Sequence, residues 1–305
     1  MIITCKQCNT RYRFDESVTK QSAFKVRCSK CGDRFVAYRP SDEKPALLLE
    51  EVVHPDQHRI IAISNQKGGV AKTSTCLNLG GALALLKKRV LLIDFDVQAN
   101  LTILLGLRQT KSFYEVLESG KENISDFIEK TKYSNVYLLP SNSKMALLKR
   151  KCLNQNNFEY LLRDRLKLIQ DNFDYILIDT PPSIEFFTLN ALVAANTIVI
   201  PTTCEYLSMH GINQIKNIIT VVKEKTGREI DYNVLVTMYN TMKTSENVIY
   251  AKLKDKYKGR VFNTIIELDD KMQESHIVNM PVIHYDSNSS SALQYVRLAK
   301  ELIDE

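Results

Sequence analysis

Three groups of residues have the types and spacing to do chemistry. Four cysteines stand as two close pairs, Cys5-x-x-Cys8 and Cys28-x-x-Cys31, with nineteen residues between the pairs. Each pair offers two thiolates from one tight turn, and four thiolates suit a tetrahedral zinc site. An iron–sulfur cluster and a pair of redox disulfides are the other uses of the same four side chains. Next, Lys67-Gly68-Gly69-Val70-Ala71-Lys72-Thr73-Ser74 follows an apolar run and opens a helical pattern. A loop in that position turns several backbone N–H groups toward one point beside the positive end of a helix, which makes a phosphate cradle. Lys72 would reach the β- and γ-phosphates, and the Thr73 hydroxyl would ligate Mg²⁺. Finally, carboxylates close two further apolar runs. Asp94 and Asp96 flank Phe95 after Val90-Leu-Leu-Ile, and Asp179 ends Asp174-Tyr-Ile-Leu-Ile. The lone carboxylate that ends the second of these runs, Asp179, would hold Mg²⁺, usually through water. A Lys/Gly-rich surface turn and ordinary strand-end aspartates are the plain alternatives; strand, loop and helix fall in register against the first. The order of these stretches along one chain joins them.

The loop departs from the usual phosphate-loop pattern, because Gln66 and Ala71 stand where that pattern carries glycine. Lys-Gly-Gly-x-x-Lys-Thr resembles the deviant phosphate loop of the ParA/MinD group of ATPases. That resemblance implies that Lys67 reaches across a dimer interface to the partner's nucleotide, with the loop through Ser74 wrapped around its own. Asp94-Phe-Asp96-Val97-Gln98 resembles the group's Asp-x-Asp-Pro-Gln, with Val97 in place of proline. By that likeness Asp96 orients or deprotonates the attacking water, and Asp94 supports the magnesium shell. Asp179-Thr180-Pro181-Pro182 is close to the group's wording, and Pro201 to Gly211 resembles its entry to a long helix. Met238 and Asn240 stand where relatives place adenine contacts. One stretch departs: Ile266-Glu-Leu268-Asp-Asp-Lys271 puts leucine and lysine at positions where partition ATPases carry DNA-facing arginines. Fewer cations there imply fewer phosphate contacts and weaker nonspecific DNA binding.

The resemblance implies ATP and Mg²⁺ as cofactors, with Zn²⁺ expected in the cysteine site. It implies a homodimer that forms on ATP, hydrolyses it slowly, and partitions or positions DNA or another cargo. A stimulating partner, ParB-like or a cargo adaptor, is expected to accelerate the turnover. A MinD-like membrane-cycling ATPase and a metal-cluster carrier or scaffold are the alternatives. Against the first, the chain closes on acidic Glu301-Leu-Ile-Asp-Glu305 rather than a basic amphipathic helix. Against the second, the paired cysteines all lie before residue 32.

These residues need a scaffold, and the remaining sequence supplies one. A chain of 305 residues, 44% hydrophobic, can bury one large core plus a small module. No apolar run approaches the ~20 residues of a membrane span. The start, Met1-Ile-Ile-Thr-Cys5, lacks the regions of a secretory signal, so a cytoplasmic location is expected, at the nucleoid if DNA is the track. Residues 1–39 hold nine Lys/Arg against three acids, leaving 32 of each sign in the remainder. The expected organisation is a Cys₄ zinc ribbon over 1–39, a proline-containing linker over 40–58, and an ATPase domain over 59–305. A short docking element at 46–51 is the alternative within the linker. From Arg59 onward strands and helices alternate. This predicts an α/β fold with a mostly parallel, doubly wound sheet covered by helices on both faces. Strands are expected at 60–64, 89–94, 135–140, 174–179, 197–201, 231–237 and 261–266. Helices are expected near 72–87, 143–150, 155–172, 184–195, 206–226, 243–257 and 289–303. Cys76, Cys152 and Cys204 read as small buried apolar residues.

Overall fold

The computed structural model describes residues 2–4, 8, 10–13, 23–38, 59–120, 124–152, 155–183 and 185–304. The chain separates into two compact units, Met1–Glu50 and Glu51–Glu305. The expected linker, including 46–51, lies outside the described residues. So does Cys5.

In the first unit, β1 (Ile2–Thr4) pairs antiparallel with β2 (Arg11–Arg13), and β3 (Ala23–Arg27) pairs antiparallel with β4 (Arg34–Tyr38). Between β3 and β4 the chain turns through Cys28 to Gly32, where Gly32 takes a left-handed φ of 78°.

The second unit carries a seven-stranded sheet. Its strands are β5 (Arg59–Ile63), β6 (Val90–Asp94), β7 (Glu129–Lys130), β8 (Val136–Leu139), β9 (Tyr175–Asp179), β10 (Thr197–Thr202) and β11 (Asp231–Val236). They lie in the order β11-β10-β5-β9-β6-β8-β7, all parallel except the short edge strand β7. Because both faces are covered, the central strands are apolar at nearly every position. Ile60 and Ala62 point to one core while Ile61 and Ile63 point to the other.

The helices divide between those cores. One face takes α1 (Lys72–Leu85), α2 (Asn100–Leu104), α10 (Val282–Tyr285) and α11 (Ser290–Asp304). The opposite face takes α3 (Phe113–Glu118), α4 (Met145–Cys152), α5 (Leu161–Leu166), α6 (Phe186–Ala194), α7 (Ser208–Thr226) and α8 (Thr244–Lys256). α9 (Asp270–Ile277) lends Met272 to the α1 side. The final helix is part of the fold: Ala292, Tyr295, Leu298 and Leu302 are buried, and Tyr295 Oη lies 3.3 Å from Thr75 Oγ1 on α1. Among the described residues no helix is long and apolar enough to cross a membrane.

Two expected elements differ. Residues 261–266 form no strand: Val261 meets β11 through an isolated bridge to Val234, and Glu267, just beyond the stretch, bridges Tyr239. The amides of Asn263 and Thr264 are taken by the Glu301 carboxylate (2.6 and 2.9 Å), which removes them from any ladder. Residues 155–172 are not one helix. They break into α5 flanked by 3₁₀ turns at 158–160 and 170–172, with Asn157 left-handed (φ 65°) before the first and Ile169 at φ −135° before the second. The three lone cysteines of the second unit are buried, as expected.

Candidate nucleotide and metal sites

Strand order brings the separate motifs together. β5, β9 and β6 are neighbours, and Asp179 lies in register with Ile63 on one side and Asp94 on the other. The loop after β5, the Asp94–Asp96 turn and Asp179 therefore share the carboxyl end of the sheet, where ligands of such folds bind.

The loop is shaped by its own backbone and one buried amide. Gly69 takes φ 70°, and Ala71 takes a left-handed φ of 62° immediately before α1. A Cβ built on Gly68 or Gly69 would meet no heavy atom within 4 Å, so the space beside them is open. Asn65, 1% exposed, donates to the Pro201 carbonyl (2.7 Å) and accepts from the Lys67 amide (3.0 Å). Thr237, at the end of β11, donates toward Val70 O (3.2 Å). The α1 N-terminus has no side-chain cap and no acidic residue in its first turn. The amides and positive end of such a helix start suit an anion.

The charged groups around it are held out of water. Lys72 folds back so that Nζ donates to the Lys67 carbonyl at 3.0 Å. Burial lowers its pKa, and the carboxylates of Asp179 and Asp96 act the other way. Asp179 is fully buried, and both of its carboxyl oxygens lack a hydrogen-bond partner. Burial pushes its pKa well above the usual value; the charges of Asp94 and Asp96 add to this, and the nearby Thr73 hydroxyl and Lys72 oppose it. Such a carboxyl group is costly unless a cation answers it. The residues thus fit a divalent ion beside Thr73. Ser64 Oγ, Gln66 Nε2 and Thr202 Oγ1 are likewise buried without partners, at residues that end β5 and β10 or begin the loop.

The other predicted residues fall as follows. Asp94 Oδ2 accepts from the Thr102 hydroxyl (2.6 Å) and amide (2.8 Å), so its carboxylate is directed into the protein. Asp96 is 8% exposed and accepts the Gln98 amide at 3.0 Å. Lys67 Nζ is bound within its own chain, to Glu205 Oε2 (2.6 Å) and Thr203 Oγ1 (3.2 Å) beyond β10. Met238 stands just past β11 with φ 51°, and Asn240 uses its side chain on the Met242 amide (3.0 Å). Sequence reasoning missed Asn65, Thr102, Ser141 and Glu205. Only Asn65 carries a local signal, as a polar residue following an apolar strand.

Known proteins resemble the chain in both of its units. A family model described as an AAA domain matches residues 58–232, and a zinc-ribbon domain matches residues 1–36. The chromosome partitioning protein ParA of Myxococcus xanthus is 34% identical over 249 residues, covering 80% of this chain and 88% of the relative. The chain belongs to the ParA/Soj/MinD-type ATPase family. Within it, the sporulation initiation inhibitor protein Soj of Bacillus subtilis is 35% identical over 248 residues, covering 80% of this chain and 98% of Soj. A crystal structure of cobyrinic acid a,c-diamide synthase from Mycobacterium smegmatis, with bound ADP and magnesium, superposes with a TM-score of 0.71 at 31% identity. It covers 81% of this chain and 94% of that one. The cell division ATPase MinD of Pyrococcus furiosus gives 0.64 at 25% identity, with 81% and 99% covered.

The ribbon of this family member also fits a metal. The sulfurs of Cys8, Cys28 and Cys31 lie within 4.8 Å of one another, with Cys8 Sγ 3.6 Å from Cys28 Sγ. Two thiolates on one tetrahedral zinc, at ~2.3 Å each, stand about 3.8 Å apart. The Cys31 amide points to Cys28 Sγ at 3.4 Å, and Thr10 hydrogen-bonds Cys8 and holds its thiol below the usual range.

Proposed function

We propose that this chain is a partition-type ATP hydrolase that closes on ATP as a homodimer and positions a cargo, chromosomal or plasmid DNA among the candidates. The buried Asp179 carboxylate carries this reading, unpartnered and one strand away from an uncapped helix N-terminus that bears Lys72. Gly68 to Ser74 would wrap the phosphates, with Lys72 on the β- and γ-phosphates. Thr73 and Asp179 would hold Mg²⁺, which when bound neutralises charge on the triphosphate. Asp94 supports that shell by fixing the neighbouring turn, and Asp96 on that turn would orient the attacking water. Lys67 would leave Glu205 and reach the nucleotide of a second copy. Met238 and Asn240 would flank the adenine. Catalysis by such a site is mostly positioning and charge stabilisation, so a slow basal rate raised by a partner protein suits it. Cys5, Cys8, Cys28 and Cys31 would hold Zn²⁺.

DNA contact through the stretch that leads into α9 is reduced in this reading. Leu268 is exposed, and Lys271 is already paired with Glu274 at 2.7 Å. A location in the cytoplasm belongs to the same reading. Calorimetric titration with ATP and Mg²⁺ tests the cradle: Lys72→Ala should lose binding or productive use of ATP. Wild-type affinity with normal turnover in that variant would refute it.

A further inference from the structure

The turn that carries Asp96 is closed by a ring of buried hydrogen bonds, two members of which the reading above leaves unused. Thr102, on α2, donates its hydroxyl to Asp94 Oδ2 at 2.6 Å. Ser141, just past β8, donates its amide to Thr102 Oγ1 at 2.9 Å and its hydroxyl to the Asp96 carbonyl at 2.6 Å. The Asp96 amide completes the ring on Asp94 Oδ1 at 3.3 Å. Thr102 and Ser141 are each 0% exposed.

The directions are forced. An amide only donates, so Thr102 Oγ1 must accept from Ser141 and spend its one proton on Asp94; a carbonyl only accepts, so the Ser141 proton must go to Asp96. No member can reverse without leaving a buried group unpaired. The turn needs such a brace. Ala99 in it is held left-handed at φ 53°, and Val97 supplies no ring-locked φ where the Asp-x-Asp-Pro-Gln wording has proline.

We infer that Thr102 and Ser141 are positioning residues for Asp96, setting where its carboxylate stands and so the rate of hydrolysis, while touching no nucleotide. This rests on the role proposed for Asp96. Displacing a catalytic group by about 1 Å costs up to about a hundredfold in rate.

The test is steady-state ATP turnover by the full chain with saturating Mg²⁺, alongside ATP-dependent dimerisation. Ser141→Ala and the isosteric Thr102→Val are expected to lower kcat about tenfold or more, with KM for ATP and dimerisation within about twofold. Thr102→Ser, which keeps the hydroxyl, is expected to retain most activity. On an Asp96→Ala background, Ser141→Ala should lower turnover no further, because both act at one point. Variants that melt at lower temperature yet keep wild-type kcat would make the ring merely structural and overturn the inference. A raised KM at unchanged kcat would overturn it too. If instead Asp96→Ala itself turns over at the wild-type rate, the assignment of Asp96 fails, and the ring loses its object.

Discussion

Lys67 Nζ lies 2.6 Å from Glu205 Oε2, so the lysine expected to serve a second copy is held by its own chain. Lys67 and Thr203 keep the Glu205 carboxyl below its usual value. The Glu205 side chain is 62% exposed and Lys67 31%, and a pair so wetted is worth about 1 kcal/mol or less. A triphosphate can outbid it. Lys67→Ala is therefore expected to abolish ATP-dependent dimerisation in gel filtration with light scattering. Glu205→Gln should shift the ATP requirement by no more than about fivefold. An effect of Glu205→Gln as complete as that of Lys67→Ala would contradict this weak-tether reading.

Gly211, on α7, is fixed by Asn65. A Cβ there would stand 2.7 Å from Asn65 Oδ1, the atom that accepts the Lys67 amide. Gly211→Ala must push α7 away or turn the Asn65 side chain, and with it the hydrogen bonds to the Lys67 amide and the Pro201 carbonyl. Overpacking of this kind costs about 1–3 kcal/mol. The expected result is a lower melting temperature together with weaker ATP binding by calorimetry. A variant that loses neither would show that α7 and the loop are not coupled through Asn65.

How much of this was legible in the sequence follows from what each residue answers to. β5 and β9 are buried on both faces and read directly as apolar runs, so the sheet and its terminal carboxylates could be placed. The two-residue edge strand Glu129–Lys130 carries no apolar signal. Residues 261–266 look like a strand until Glu301, 37 and 38 residues further on, takes the amides of Thr264 and Asn263. The site divides the same way. Lys72 and Asp179 are marked by position in order, whereas Asn65 meets Pro201 and Ser141 meets Asp96 across 136 and 45 residues of chain. No local pattern encodes those contacts.

Burial pushes Asp94 up to about 6 from 3.8, with the Thr102 hydroxyl and amide opposing it. A carboxyl that binds its proton more tightly folded than unfolded adds stability that is present below pH 3.8 and lost as pH rises through about 6. Two units correspond to about 3 kcal/mol. In the nucleotide-free protein, Asp94→Asn should therefore lose less stability between pH 4 and 7 than wild type, by roughly 2–3 kcal/mol in urea unfolding. Only the slope is compared, since asparagine also surrenders an acceptor. Identical slopes would place the proton elsewhere.

Elemental analysis of the purified chain is expected to find one zinc per molecule. Cys28→Ser and Cys31→Ser should each release it and lose the amide-exchange protection of the β3–β4 ribbon, because so small a unit draws its folding energy from metal. Visible absorption typical of iron–sulfur clusters, or no metal at all, would contradict a zinc ribbon.

Sedimentation velocity on Asp96→Ala with ATP and Mg²⁺ measures the proposed clasp most directly. A species of twice the monomer mass is expected with ATP and absent with ADP, and it should vanish when Lys67→Ala is added. A protein that stays monomeric with ATP, or a dimer indifferent to Lys67, would contradict it.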